Sequence, residues 1–217
     1  MSWLLLAVLA AAPQAGAAFP TLSEVREQTR VSEARLLDRN GELLHETRTE
    51  ARFRRLAWVP LAEISPALIQ AVMDSEDRRF LNHGGVDWIA LVGAATKAVF
   101  QERSRGASTI SMQLASMLRD GVAPRARRRV IEKIAQIVDA RELESTWSKD
   151  EILEAYLNLV TFRGELQGVG AAAAGIFGRS PHGLEGSEAL ILASLLRSPG
   201  ANAERLEERA CALARVR

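Results

Sequence analysis

From Leu61 onward the apolar residues recur at three- and four-residue spacing, and each run is broken where a capping residue, proline or glycine stands. Residues three and four apart share one helix face, so this pattern demands a mainly helical body. Helices are predicted over 66–75, 87–101, 108–119, 125–146, 149–158, 166–176 and 187–196. Pro66 sits at a first helical position, where its missing N–H costs nothing. Asp87, Ser108, Ser148 and Ser187 are the expected N-caps, with Glu151 completing a capping box on Ser148. Gly121, Gly164, Gly178 and Gly200 stand where helices should stop.

Before this body the reading changes. Residues 1–18 resemble a secretory leader or short anchor: Trp3 to Ala12 are apolar, and Pro13 and small residues follow. The apolar run is short for a membrane-spanning helix. Residues 19–60 form a lead-in with a β-hairpin, and 61–217 the main domain. The hairpin is expected over Arg35 to His45, with Asn40-Gly41 as a two-residue turn. A third extended run, Phe53 to Val59, ends at Pro60.

Charge and cysteine content narrow the chemistry. The 217 residues carry a formal net charge of +1, which gives no reason to expect a nucleic-acid partner. Cys211, the one cysteine, excludes an internal disulfide and a cysteine metal cage. The three histidines, His45, His83 and His182, show no ligand spacing.

Three segments could carry chemistry. Ser75 to Asp87 holds two adjacent acids, a histidine and paired glycines between helical runs, and a carboxylate at a helix end there suits a general base. Arg105 to Leu114 is a small-residue loop running into a hydroxyl-rich helix start, which offers N–H and O–H donors to an anion; alone, a plain N-cap explains it as well. Arg125, Arg129 and Lys133 fall at four-residue spacing along one helix face, with Val130, Ile131, Ile134, Ile137 and Val138 as the opposing apolar side. A fourth segment, Trp147 to Asn158, reads as structural: a capped helix sending Ile152, Leu153, Tyr156 and Leu157 to the core.

In this order these segments resemble the peptidoglycan glycosyltransferase family, the transglycosylase domain of class A penicillin-binding proteins. Glu76, Asp77, Phe80, His83 and Gly85 match its Glu-Asp-x-x-Phe-x-x-His-x-Gly motif. Gly106, Ser108, Thr109, Ile110, Gln113 and Leu114 match the second motif, with Ala107 in place of its second glycine. Leu143-Glu144, Ser148-Lys149, Glu151-Ile152-Leu153 and Tyr156-Leu157-Asn158 match the third. The hairpin, Met112, Gln136 and residues 166–170 are similar to the penicillin-binding protein 1C branch, and no Ser-x-x-Lys transpeptidase motif is present.

The resemblance implies a lysozyme-like, mainly α fold that polymerises lipid II at the membrane surface. Glu76 corresponds to the general base. Asp77, Phe80, His83, Ser108, Thr109, Gln113, Arg128, Lys133 and Gln136 correspond to substrate-binding positions, Arg128 and Lys133 toward the phosphates. The implied partners are lipid II, the growing glycan strand, the membrane and a separate transpeptidase, and the implied place is the periplasm or the outer face of the cytoplasmic membrane. No cofactor is required by the residues; a divalent cation, Mg or Mn, is the one candidate. Five positions depart from the family pattern: Ser116 stands where a Lys or Arg is usual, Glu132 where Arg is usual, Gln136 where a Glu is usual, and Ala107 and Arg163 where glycine is common. They keep open a non-catalytic lipid II- or glycan-binding module. A lytic glycosidase, the third reading, needs a second acid across the cleft.

Overall fold

The computed structural model describes residues 18–99, 108–120 and 130–215. It is mainly helical. The helices are α1 Leu22–Gln28, α2 Pro66–Glu76, α3 Trp88–Val99, α4 Ile110–Asp120, α5 Val130–Thr146, α6 Lys149–Leu159, α7 Val169–Phe177, α8 Gly186–Arg197 and α9 Ala203–Ala214. Two small antiparallel pairs accompany them: β1 Glu33–Leu37 with β2 Leu43–Arg48, and β3 Thr161–Arg163 with β4 Leu166–Gln167.

α6 is the central helix, buried from Ile152 to Leu159. Its start is the predicted capping box: Ser148 Oγ accepts from the Glu151 amide, and the Glu151 carboxylate accepts from the Ser148 amide at 2.7 Å. Around it α2 packs on α8, α8 on α9, and α4 on both α5 and α6. Tyr156, Phe80, Phe162, Leu68, Ile110, Leu143 and Leu192 are fully buried in the shared core.

Several expectations are corrected. Residues 19–34 are more than a polar lead-in, because α1 docks there and Val25 enters the core. The hairpin turn is not a two-residue Asn-Gly turn. The Gly41 amide donates to Asp38 O at 3.1 Å, Gly41 has φ +85°, and Asp38 Oδ1 accepts the Asn40 and Glu42 amides at 2.8 and 2.7 Å. That is a three-residue loop ending in a left-handed glycine, with the Asp38 side chain outcompeting the tighter turn. The run from Phe53 makes a bridge from Arg54 to Leu166 but no strand. Leu166 and Gln167 belong to β4, so the helix expected from 166 begins at Val169. α9 was not anticipated: Glu204, Arg205, Glu207, Glu208 and Arg209 leave it only a thin apolar stripe.

A buried carboxylate holds the N-terminal segment to the body. Glu154 accepts hydrogen bonds from Trp58 Nε1 and the Leu61 amide, both at 2.8 Å, and from the Arg26 guanidinium. Its side chain is 9% exposed. Removing the acceptor strands a buried N–H, an indole N–H and a cation together. Glu154→Ala is therefore expected to destabilise by about 3–5 kcal/mol, read as a lower urea midpoint at unchanged slope. Arg26→Ala, whose side chain is 42% exposed, should cost about 1 kcal/mol or less.

Candidate active site

The adjacent acids Glu76 and Asp77 end α2, and the chain turns there so that they point to different neighbours. Asp77 is 7% exposed and lies outside the helix as its C-cap. Its carboxylate accepts from His83 Nε2 at 3.0 Å to each oxygen, and Oδ2 accepts the Ile110 amide at 3.1 Å. That amide opens α4, where a carboxylate satisfies an orphan donor and meets the positive end of the helix dipole. Thr109 completes the cap. Its hydroxyl accepts the Met112 amide at 3.1 Å and donates to Gly85 O at 2.6 Å. Ser108, the expected cap, stands one residue too early. Gly85 has φ +88°, and a Cβ there would sit 2.7 Å from Ala140 O, so only glycine lets this turn meet α5.

Phe80 and His83 belong to the same structural unit. Phe80 is 1% exposed and sits in the core rather than at a ligand surface. Lys149 Nζ lies 4.3 Å from its ring centroid and donates at 2.7 Å to both His83 O and Glu144 Oε1. Glu144 also accepts from Ser111 Oγ. Lys149, expected to be only part of a capped helix, thus joins all three motif segments. Asp77, Phe80 and His83 are each engaged with protein groups, and Asp77 also lines the cavity beside Glu76.

Glu76 points the other way, into a cavity of about 450 Å³ between α2, the start of α4, α8 and α9. Its side chain is 10% exposed. Oε1 accepts from Ser75 Oγ at 3.1 Å and from Arg197 Nε at 3.3 Å. Oε2 accepts from Gln113 Nε2 at 3.2 Å. Gln113 is oriented in turn, because its Oε1 accepts from the buried Tyr156 hydroxyl at 3.4 Å. An ionised carboxylate has about four acceptor sites. Three donors therefore fix Glu76 and leave capacity toward the cavity. Ser108 and Thr109 line the same cavity, as do Arg197 and Arg209. Sequence reasoning did not name the two arginines. The one available signal is Ser194 and Arg197, polar residues three apart within the apolar run of α8.

Lys133 and Gln136 are half-buried on α5, on the face that continues through the buried Ala140, Leu143 and Trp147. Ile134 and Val138, expected to face the core, are 59% and 53% exposed. The helix is thus rotated from the amphipathic expectation, with Lys133 and Gln136 half-buried and these two apolar residues exposed. Arg128 and the loop glycine Gly106 lie outside the described residues. Ser116 is 7% exposed within α4, so the position where the family carries a cation is here a buried hydroxyl.

Among the described residues no three acidic, histidine or cysteine side chains converge on one point. The carboxylates of Glu76, Asp77 and Asp87 already accept from protein donors, Asp87 from the Ala90 amide at 3.0 Å.

The sequence matches the transglycosylase family model over residues 40–216. The chain belongs to that family. It is 40% identical over 142 residues to a biosynthetic peptidoglycan transglycosylase of Rhodospirillum centenum, covering 65% of this chain and 60% of the relative. The corresponding protein of Pasteurella multocida is also 40% identical over 142 residues, covering 65% of this chain and 56% of the relative. Penicillin-binding protein 1A of Escherichia coli is 35% identical over 180 residues, which is 82% of this chain and 20% of that protein. The matched part of this chain therefore spans less than two thirds of these relatives. None of the three singles out the 1C branch.

The two adjacent acids should separate under mutation. Asp77→Ala leaves the Ile110 amide and His83 Nε2 buried without an acceptor, an expected loss of about 2–4 kcal/mol. Glu76→Gln keeps the shape and one of the two acceptor oxygens at the open cavity wall, and should cost less than Asp77→Ala, about 1 kcal/mol. Chemical denaturation of the two variants beside the parent decides this.

Proposed function

We propose that this chain polymerises lipid II into β-1,4-linked glycan. The observation that carries the reading is Glu76, a carboxylate set at a cavity wall by donors from two other helices as well as its own. Glu76 takes the proton from the 4-hydroxyl of the acceptor N-acetylglucosamine. The freed oxygen attacks the anomeric carbon of the donor N-acetylmuramic acid from the face opposite the leaving group. The C1–O bond breaks, polyprenyl pyrophosphate departs with the bonding pair, and the configuration inverts. Positive charge must meet the departing phosphates, since negative charge develops there in the transition state. Lys133 is assigned that work, with Arg128 beside it in sequence order. Ser108 and Thr109, at the mouth of α4, are assigned to the saccharide, and Gln113 to holding the base. No step is routed through a metal.

A polyprenyl substrate stays in the bilayer, so the cavity must work at a membrane surface. No helix among the described residues is long and apolar enough to cross one. The exposed apolar residues Trp88, Ile89 and Val92 of α3, at 53%, 66% and 62%, are assigned to that contact. The reading assigns the protein to the periplasm or the outer face of the cytoplasmic membrane, with a separate transpeptidase to crosslink its product.

A second reading, a lipid II-binding module without turnover, is favoured by the buried Ser116 where the family carries a cation. Polymerisation of labelled lipid II by the purified protein decides between them. Turnover should fall about 10²–10⁴-fold in Glu76→Gln while lipid II is still bound. Binding by the parent protein without polymer would establish the second reading. Trp88→Ser with Ile89→Ser should weaken partition onto anionic lipid vesicles at least about ten-fold, by the loss of buried apolar area. Unchanged sedimentation with vesicles would remove α3 from the membrane contact.

A further inference from the structure

The cavity wall opposite α2 is built by α8, and two of its side chains are not used by the family motifs. Arg197, in the last turn of α8, reaches Glu76 Oε1 through Nε at 3.3 Å, and its side chain is 34% exposed. Its terminal nitrogens make no hydrogen bond among the described residues. Ser194, one turn earlier, is 3% exposed, lines the same cavity and has an Oγ without a hydrogen-bond partner. The register of α8 against the base is fixed independently. Ser75 Oγ lies 3.1 Å from Glu76 Oε1 and 3.2 Å from Ala193 O, so its single proton is shared between the base and the α8 backbone.

We propose that Arg197 is a bridging positioning residue. Nε holds the Glu76 carboxylate, and the far edge of the guanidinium takes an oxyanion of the incoming saccharide substrate. A guanidinium presents five N–H donors in one rigid plane, so it can serve two acceptors at once without changing shape. Filling the cavity and orienting the base then become one event. The 3.3 Å contact is longer than the 2.7–2.9 Å of a tight charge-assisted hydrogen bond. A second anion on the far edge would lock a side chain that Glu76 alone holds loosely. The oxyanion is a phosphoryl oxygen or a carboxylate of the saccharide. The assignment rests on the transferase reading above for its kinetic half, but not for its binding half.

The test uses the full chain, its Arg197→Gln and Arg197→Lys variants, and a short-chain polyprenyl-pyrophosphate disaccharide as ligand. Calorimetry reads binding, steady-state turnover reads kcat, and thermal melting checks that the variants fold. The glutamine variant should bind roughly ten-fold or more weakly and lose roughly ten-fold or more in kcat, with its melting temperature kept. Lysine restores the charge but cannot span two acceptors, so it should recover binding to within about three-fold and leave kcat low. A merely structural arginine would not split binding from kcat in this way. Full recovery of kcat by lysine, or an unchanged kcat in the glutamine variant, overturns the bridge. Competition by inorganic pyrophosphate against N-acetylmuramic acid tells phosphoryl oxygen from carboxylate. Should the parent protein bind without polymerising, the transferase reading fails while the binding comparison still decides the contact. Equal binding by parent and glutamine variant, or no binding by the parent, overturns it.

Discussion

The site depends on one buried charge, the Asp77 carboxylate. It accepts His83 Nε2 and the first amide of α4 together, and so joins the end of α2 to the start of α4. Burying a carboxylate is costly unless its lone pairs are filled, and three hydrogen bonds and a helix N-terminus fill them. With α2 and α4 held end to end, Gln113 falls one turn inside α4, within reach of Glu76. Glu76 is placed by its neighbour's structural bonds.

A second layer supports the first. Lys149 touches the His83 carbonyl, Glu144 and the Phe80 ring, and Gly85 lets the turn approach the α5 backbone. Its polar side chains are buried or half-buried and each is satisfied by another, apart from His83 Nδ1, which has no hydrogen-bond partner. Partly satisfied networks are expensive and fully satisfied ones specify a unique geometry. This explains why motif residues that look catalytic in the sequence are engaged with each other, and why few of them face the cavity.

The opposite wall is different in kind. α8 and α9 bring Arg197 and Arg209 to the cavity, from a part of the chain more than a hundred residues beyond Glu76. Positive charge thus enters from the C-terminal helices, while α4 offers a buried Ser116 where a cation is usual in the family. On α5, Lys133 and Gln136 are half-buried on the face that continues through Ala140, Leu143 and Trp147, while Ile134 and Val138 are exposed.

Read alone, the sequence determines the mainly helical body, because three-to-four periodicity and caps are local physics. Ser148 with Glu151 and Asp87 before α3 act as their residue types require. It also determines the family, because ordered motifs are carried by residue identity, and with it the singling out of Glu76. Only the tertiary structure decided what each motif residue does. Asp77 and Glu76 are neighbours of the same chemistry, and nothing local says which is buried against α4 and which faces the cavity. The rotation of α5, the existence of α9 and the approach of Arg197 to Glu76 are equally non-local. Each is set by which surfaces must be buried together, and that is a property of the packed chain rather than of any window along it.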